Sequence, residues 1–232
     1  NSINESVDAL EGLFGELLDI TRIDTGGVDV NPAPARMREL FARLRLHFEP
    51  IAFEKGLMLS FRGEAQVAHA DPVLLERVLR NLVSNAIRYT DDGGVLVSCR
   101  LRRSGDGARL LLQVWDTGIG IAEASLPRIW EEFFQAQGNR PLLAHHRKGL
   151  GLGLAIVKRL AGLMGAPIGV RSRVGHGTVF SIDLPPGTAP RSIEPATAAA
   201  RVPIGLTLQG RFFVVVEDEA AVREGLVVLL QA

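Results

Sequence analysis

The chain has 232 residues, with 26 Lys+Arg against 26 Asp+Glu and a formal net charge of zero, a balance that argues against a basic nucleic-acid binder and against a polybasic membrane surface. Apolar residues make up 47% of it, enough for real cores and too many for a disordered chain, and no run approaches the ~20 apolar residues of a membrane span. The one cysteine, Cys99, rules out a disulfide framework and suits a reducing, cytoplasmic compartment, with any membrane anchor of a longer parent left open. The chain opens polar, without a methionine or a secretory signal, as expected of a piece of something longer. Its only lysines are Lys55, Lys148 and Lys158.

Residues 3–24 are expected to form one amphipathic helix. Ile3, Val7, Leu10, Phe14, Leu17 and Leu18 recur at three- and four-residue steps between acidic residues, and Gly26-Gly27 stops the pattern. One helix cannot bury its own stripe, so it reads as half of a helical hairpin, with a docked surface helix as the bland alternative. Residues 36–55 give a second helix and 57–61 a strand. Asp71-Pro72 opens a helix to about Tyr89 with good start chemistry, an Asp cap and Pro in the first turn. Gly93-Gly94 turns the chain into two antiparallel strands, 95–103 and 109–115. A short helix holding Ile129, Trp130, Phe133 and Phe134 follows, then a polar loop, 135–148, a helix from Leu150 to about Met164, and strands 168–173 and 178–184. Helices first and mostly antiparallel strands later argue for α+β, with helices on one sheet face. Residues 186–210 are Pro- and Ala-rich without periodicity and read as a linker. Phe212–Val216 then reads as a buried strand leading through Glu217-Asp218-Glu219 into an apolar helix, the start of a further domain over 211–232.

Three segments carry chemistry together. Asn81, Asn85 and Arg88 fall at i, i+4 and i+7 of the 71–89 helix and share one face. Two amides on a helix otherwise built of Leu, Val and Ile are costly if buried unpaired, although asparagines satisfied within a core are the commoner case. Asp116-Thr117-Gly118-Ile119-Gly120 follows directly on a strand. A carboxylate at a strand end can accept from an exocyclic amine, and the glycines let a planar ring approach the backbone; the bland alternative is an ordinary Asp-Gly turn. Lys148-Gly149-Leu150-Gly151-Leu152-Gly153 opens a helix, where free amides and the helix dipole favour an anion and Arg147 and Lys148 add charge. It is neither a Walker loop, since no Gly-Lys-Ser/Thr occurs, nor a dinucleotide fingerprint, since no strand leads into it. A flexible glycine hinge is the bland alternative here.

In this order and spacing, the three segments resemble the catalytic and ATP-binding domain of bacterial sensor histidine kinases, within the wider ATPase group that includes HSP90, type II topoisomerases and mismatch-repair ATPases. The resemblance covers roughly 36–185. Asn81–Tyr89 resembles the asparagine box, Asp116–Gly120 and Gly149–Leu154 the glycine boxes, Phe133-Phe134 the phenylalanine box, and Gly175-His176-Gly177-Thr178 the last glycine motif. Leu17–Asp24 resembles the end of the second helix of the kinase dimerisation hairpin, and Phe213–Glu219 the start of a receiver domain, whose acidic metal-binding pair Glu217 and Asp218 match. The implied fold is a two-layer α/β sandwich, the ATP-binding fold of this group, over residues 28–185, preceded by a lone hairpin helix over 1–27. The implied ligands are ATP and Mg²⁺. Asp116 would accept from the adenine amine, with Gly118 and Gly120 beside the ring. Asn85 would hold Mg²⁺, Asn81 would join the polar cluster near the phosphates, and Arg88 would reach a phosphate where the family often has Lys. Tyr89 would flank the nucleotide. Arg147, Lys148, Gly149, Leu150, Gly151, Leu152 and Gly153 would wrap the triphosphate under a lid formed by 135–148, with Thr178 near the adenine pocket.

The resemblance further implies a homodimer through the hairpin, a phosphoacceptor histidine helix and a receiver or response regulator as partners, and no nucleic acid. The expected acceptor pattern is His, an acidic residue, and Pro five places after the His. None of His47, His69, His145, His146 or His176 fits it. The chain is therefore expected to bind Mg-ATP without phosphorylating itself. Two alternatives stay open: a non-catalytic nucleotide-binding scaffold, and a conformational ATPase of the same group. The latter uses a glutamate to activate water at the position held here by Asn81.

Overall fold

The computed structural model describes residues 21, 23, 25–104, 107–135 and 151–188. A short strand β1 (Ala33–Arg36) leads into helix α1 (Met37–Glu54). Strands β2 (Met58–Arg62) and β3 (Val67–Ala70) precede helix α2 (Pro72–Arg88). The hairpin β4 (Gly94–Ser104) and β5 (Gly107–Asp116), helix α3 (Gly153–Leu163) and the hairpin β6 (Ile168–Arg173) and β7 (Gly177–Leu184) complete it.

The strands form a five-stranded sheet in the order β2-β4-β5-β7-β6, parallel only between β2 and β4, and a separate β1–β3 ladder. This is the mixed, mostly antiparallel sheet the element order implies. Period-two alternation sends Val95, Val97 and Cys99 of β4, Leu110, Leu112 and Val114 of β5, and Phe180, Ile182 and Leu184 of β7 into one core. The helices cover that face with Leu40, Phe41 and Leu44 of α1, Leu75, Leu79, Leu82 and Val83 of α2, and Ile156, Val157 and Leu160 of α3. Helix α2 packs between the other two helices and over β4 and β5, and Asn81, Asn85 and Arg88 lie on its half-buried remainder.

The start of α2 follows the expected chemistry. Asp71 Oδ1 accepts from Val73 N at 2.9 Å and Leu74 N at 3.1 Å, its Oδ2 takes Asn31 N at 2.8 Å, and Pro72 occupies the first helical position.

The structure differs from the sequence reading in three places. The β1–β3 ladder went unread, because four-residue strands rich in alanine, one with Pro34 opposite His69, carry no usable alternation. The expected helix around Ile129–Phe134 is instead a 3₁₀ turn, Glu123–Ser125, followed by successive turns. Ile129 is buried and Trp130 meets Phe180 edge-on at 5.9 Å, so two core anchors hold the segment in turns, bonded mostly i→i−3 (Arg128 N to Ser125 O at 2.9 Å, Glu131 N to Arg128 O at 2.9 Å) in place of a continuous helix. Helix α3 starts at Gly153, later than the expected Leu150. The 3–24 helix is described only at its end, where Thr21 and Ile23 are helical and Gly26, at φ 71°, terminates it. The lid at 135–148 beyond Gln135, the linker beyond residue 188 and the 211–232 segment lie outside the described residues.

Candidate functional site

Strand β5 ends in Asp116, which continues the alternation of Leu110, Leu112 and Val114 and shares a register row with Val95 on one side and Thr178 on the other. Its carboxylate therefore emerges on the helix-covered face, at the rim of the sheet. Oδ1 accepts from Gly118 N at 2.9 Å and from Thr178 N at 3.1 Å. Among the described residues Oδ2 takes no hydrogen bond. Burial pushes the Asp116 carboxyl above the ordinary aspartate range, and the amides of Gly118 and Thr178 pull it partly back. The result is a desolvated, oriented acceptor, the arrangement that discriminates for an N–H donor.

The surroundings leave no room for side chains. Gly177 sits at φ 91°, and a Cβ there would stand 1.9 Å from Asp116 O. A Cβ on Gly118 would lie 2.2 Å from Tyr89 O, and one on Gly120 would lie 2.2 Å from Arg173 O. Ser172, which the sequence reading passed over, ties these parts together. Its Oγ accepts Ile121 N at 2.8 Å, donates to Gly177 O at 2.9 Å and meets Thr178 Oγ1 at 2.9 Å. Thr178 is buried and borders Asp116. Ser172 itself carries no local signature: Gly177 and Thr178 belong to the last glycine motif, but the bond that ties Ser172 to the Asp116 loop spans the 51 positions to Ile121.

Tyr89 O accepts Ile119 N at 3.1 Å, which joins the Asp116 loop to the C-terminal end of α2. From there Arg88, Asn85 and Asn81, all half-buried like Tyr89, run back along the helix over about 12 Å at 1.5 Å per residue. Asn81 Nδ2 donates to Arg77 O at 3.0 Å, which fixes the amide and turns Oδ1 toward α3. A Cβ on Gly153 would stand 2.9 Å from that Oδ1 and 3.9 Å from Asn85 Nδ2, so the absence of a side chain lets the N-terminus of α3 approach both asparagines. Leu152, the residue before α3, is buried and gives no side-chain cap, so among the described residues no side chain of the cap position occupies the first amides of α3, where the helix dipole favours an anion. Gly151, at φ 75°, abuts the backbone of Phe133 and Phe134. The asparagine face, the Asp116 loop and the last two glycines of the 149–153 motif thus converge. Arg147, Lys148, Gly149 and Leu150, and Glu217 and Asp218 of the receiver-like segment, lie outside the described residues.

The phenylalanine pair behaves unequally. Phe134 is packed under the Arg128 guanidinium, 4.5 Å from the ring centre, while Phe133 is exposed at φ 58°. Glu132 pairs with Arg159 and ties this segment to α3.

No group of three His, Cys, Asp or Glu side chains suited to a metal occurs among the described residues. The donor set at the asparagine face is neutral amide oxygen. That suits Mg²⁺, which keeps water and takes substrate phosphates in place of an all-protein cage. Asn85 can supply one such oxygen, with Asn81 alongside. No helix among the described residues is long and apolar enough to cross a membrane.

Residues 70–188 match the family described as histidine kinase-, DNA gyrase B- and HSP90-like ATPases. The chain is 35% identical over 205 residues to the virulence sensor protein BvgS of Bordetella bronchiseptica, a match spanning 86% of this chain and 16% of that protein. It is 32% identical over 229 residues to the sensor histidine kinase GacS of Pseudomonas protegens, spanning 97% of this chain and 24% of that one. The chain therefore spans a quarter or less of the length of these relatives. Among solved structures, full-length ShkA in complex with AMPPNP superposes with a TM-score of 0.68 at 32% identity, covering 81% of this chain and 38% of that one. The histidine kinase AdeS of Acinetobacter baumannii, with a TM-score of 0.63 at 21% identity, shares the fold.

Proposed function

This chain belongs to the family of histidine kinase-, DNA gyrase B- and HSP90-like ATPases, and we propose that it is the ATP-binding catalytic part of a hybrid sensor histidine kinase. In this reading it binds Mg-ATP and presents the γ-phosphate to a histidine on a dimerisation hairpin, for onward relay to a receiver aspartate. The observation that carries the nucleotide reading is Asp116, a half-buried carboxylate with Oδ1 held by two amides and Oδ2 open among the described residues, at one end of a face that ends in two asparagines and a helix N-terminus without a side-chain cap from Leu152.

Each residue has a task that follows from its setting. Asp116 Oδ2 accepts the exocyclic amine of adenine, and Gly118 and Gly120 leave space for the ring. Thr178 and Ser172 hold the wall behind it. Arg88 and the first amides of α3 neutralise phosphate charge, and Arg147 and Lys148 add to that from the flanking segment. Asn85 offers its amide oxygen to Mg²⁺, which when bound supplies charge neutralisation across the phosphates. Phosphoryl transfer asks mainly for such positioning and charge neutralisation.

The position from which relatives with water-activating chemistry draw a base is Asn81. An amide takes no proton at neutral pH, and this one is already committed to Arg77 O. That favours transfer to a protein acceptor over hydrolysis. The acceptor, the dimer partner and the receiver belong to the longer protein and are part of the same proposal.

The test is titration of Mg-ATP and Mg-GTP, followed by incubation of [γ-³²P]ATP with this chain alone and with an added histidine-bearing hairpin from a kinase of this family. The expected result is Mg-ATP binding with weaker Mg-GTP, no label on this chain, and label on the added hairpin. Fast steady ATP turnover without an acceptor would replace the kinase reading by that of a conformational ATPase. Binding without label on any acceptor would leave a scaffold.

A further inference from the structure

We infer that Lys55 is a positioning residue for the nucleotide site, acting through the backbone of residues 87–90; the inference rests on the nucleotide reading above. Lys55 follows the last residue of α1 and reaches across to the end of α2. Its ammonium donates to Ile87 O at 2.7 Å, Thr90 O at 3.0 Å and Arg88 O at 3.3 Å. An ammonium has three N–H groups and no acceptor, so this one is filled by three carbonyls. Two of them belong to the last turn of α2, where carbonyls lack intrahelical partners and the helix dipole favours a cation.

The pattern along these four residues is informative. The carbonyls of Ile87, Arg88 and Thr90 turn toward Lys55, while that of Tyr89 turns away and accepts Ile119 N at 3.1 Å. Thr90, fully buried, adds a bond from its Oγ1 to Ala86 O at 2.7 Å. The peptide planes on both sides of Arg88 and Tyr89 are thereby fixed, and the directions of those two side chains follow from their backbone.

The effect reaches Asp116 by contact. Tyr89 O lies so close to Gly118 that a Cβ there would stand 2.2 Å away, and Gly118 N is one of the two donors to Asp116 Oδ1. A shift of the Tyr89 carbonyl therefore moves the Gly118 amide and re-aims the carboxylate. The path runs from Lys55 through residues 87–90 to Gly118, Ile119 and Asp116, and Lys55 touches no ligand along it. Burial draws the Lys55 amine below the ordinary lysine range, with Asp91 acting in the opposite direction.

The experiment compares Lys55→Met and Lys55→Arg with the unaltered chain, at a temperature where thermal unfolding shows the proteins folded. Two quantities are read: the Kd for Mg-ATP by calorimetry, and amide hydrogen exchange at Gly118 and Ile119 against Leu112 and Val114 in β5. For Lys55→Met the expected result is a Kd raised at least tenfold, with protection lost at Gly118 and Ile119 and retained in β5. Lys55→Arg, which keeps a cation able to reach carbonyls, is expected to recover part of both. A residue that served only the fold would lower protection throughout and leave the affinity of the folded fraction unchanged, and that result overturns the inference. So does a folded variant whose affinity falls while the Gly118 and Ile119 amides stay protected. If Lys55→Met does not fold, Lys55→Arg decides alone: its affinity and its local protection must move together. Failure of the unaltered chain to bind Mg-ATP would refute the nucleotide reading itself, a result distinct from any difference among variants.

Discussion

Asp116→Asn separates recognition from folding at one atom. In the folded chain Oδ1 serves two backbone amides, and Oδ2 is open among the described residues. The asparagine can keep its oxygen on Gly118 N and Thr178 N, so the internal bonds survive. What changes is the outward atom, from a charged acceptor to an NH₂ donor. Facing an exocyclic amine, it loses one charge-assisted hydrogen bond and leaves two donors opposed. A hydrogen bond to a charged group contributes about 1.5–3 kcal/mol, which corresponds to a Kd raised roughly 10- to 150-fold. Stability should move the other way. Burial raises the pKa of this carboxyl above the ordinary 3.8, so folding favours the protonated form. That contribution is present below the unfolded pKa and is lost as pH rises through the folded one. Asparagine removes the term, so the ligand-free variant should gain in Tm relative to the parent as pH rises from 3.8. Binding by the parent should weaken as pH falls through the raised pKa, because protonation removes the acceptor, and the variant should lack that component. Calorimetric titration of Mg-ATP and ligand-free thermal unfolding, each across pH, measure both. A Kd within threefold of the parent would refute the adenine contact. A ligand-free variant that collapsed at neutral pH would show that the charge itself latches the loop.

Three further outcomes follow from the geometry. Asp71→Ala removes the cap from α2 and the acceptor for Asn31 N; chemical denaturation should report a loss of about 1–2 kcal/mol, with Mg-ATP affinity of the folded protein unchanged. Gly177→Ala drives a Cβ to 1.9 Å from Asp116 O at φ 91°, which should cost about 3 kcal/mol or more in stability. At roughly 2–4 °C per kcal/mol for a domain of this size, the melting temperature should fall by about 6–12 °C. Gly153→Ala brings a Cβ within 2.9 Å of Asn81 Oδ1. Alanine suits a helix better than glycine, so the melting temperature should hold while Mg-ATP affinity falls by roughly tenfold, equivalent to about 1.4 kcal/mol. A melting temperature that dropped without loss of affinity would show that Asn81 moves aside freely.

The division between what was legible in the sequence and what was not follows the range of the interactions. Helix α2 was legible because its cap, its proline and its apolar period are contiguous. The strands of the sheet were legible because alternation is local, and the same alternation carries Asp116 onto the helix-covered face once β5 is recognised. The short segment before Phe134 misled, since its apolar residues suggest a helix while long-range anchoring of Ile129 and Trp130 overrides local preference. The β1–β3 ladder, four residues a side, had too little pattern to read.

The sequence by itself determined the family, the class of fold and the three segments that meet at the site, because periodicity, capping and glycine spacing are written in neighbouring residues. Tertiary structure alone decided how those segments touch. Asp116 takes the amide of Thr178 from 62 positions away, and Lys55 reaches the carbonyl of Ile87 across 32. A single side chain such as Lys55 finds its carbonyl partners 32 to 35 positions away. Its role exists only where sheet register and helix packing bring distant backbone groups within hydrogen-bonding distance.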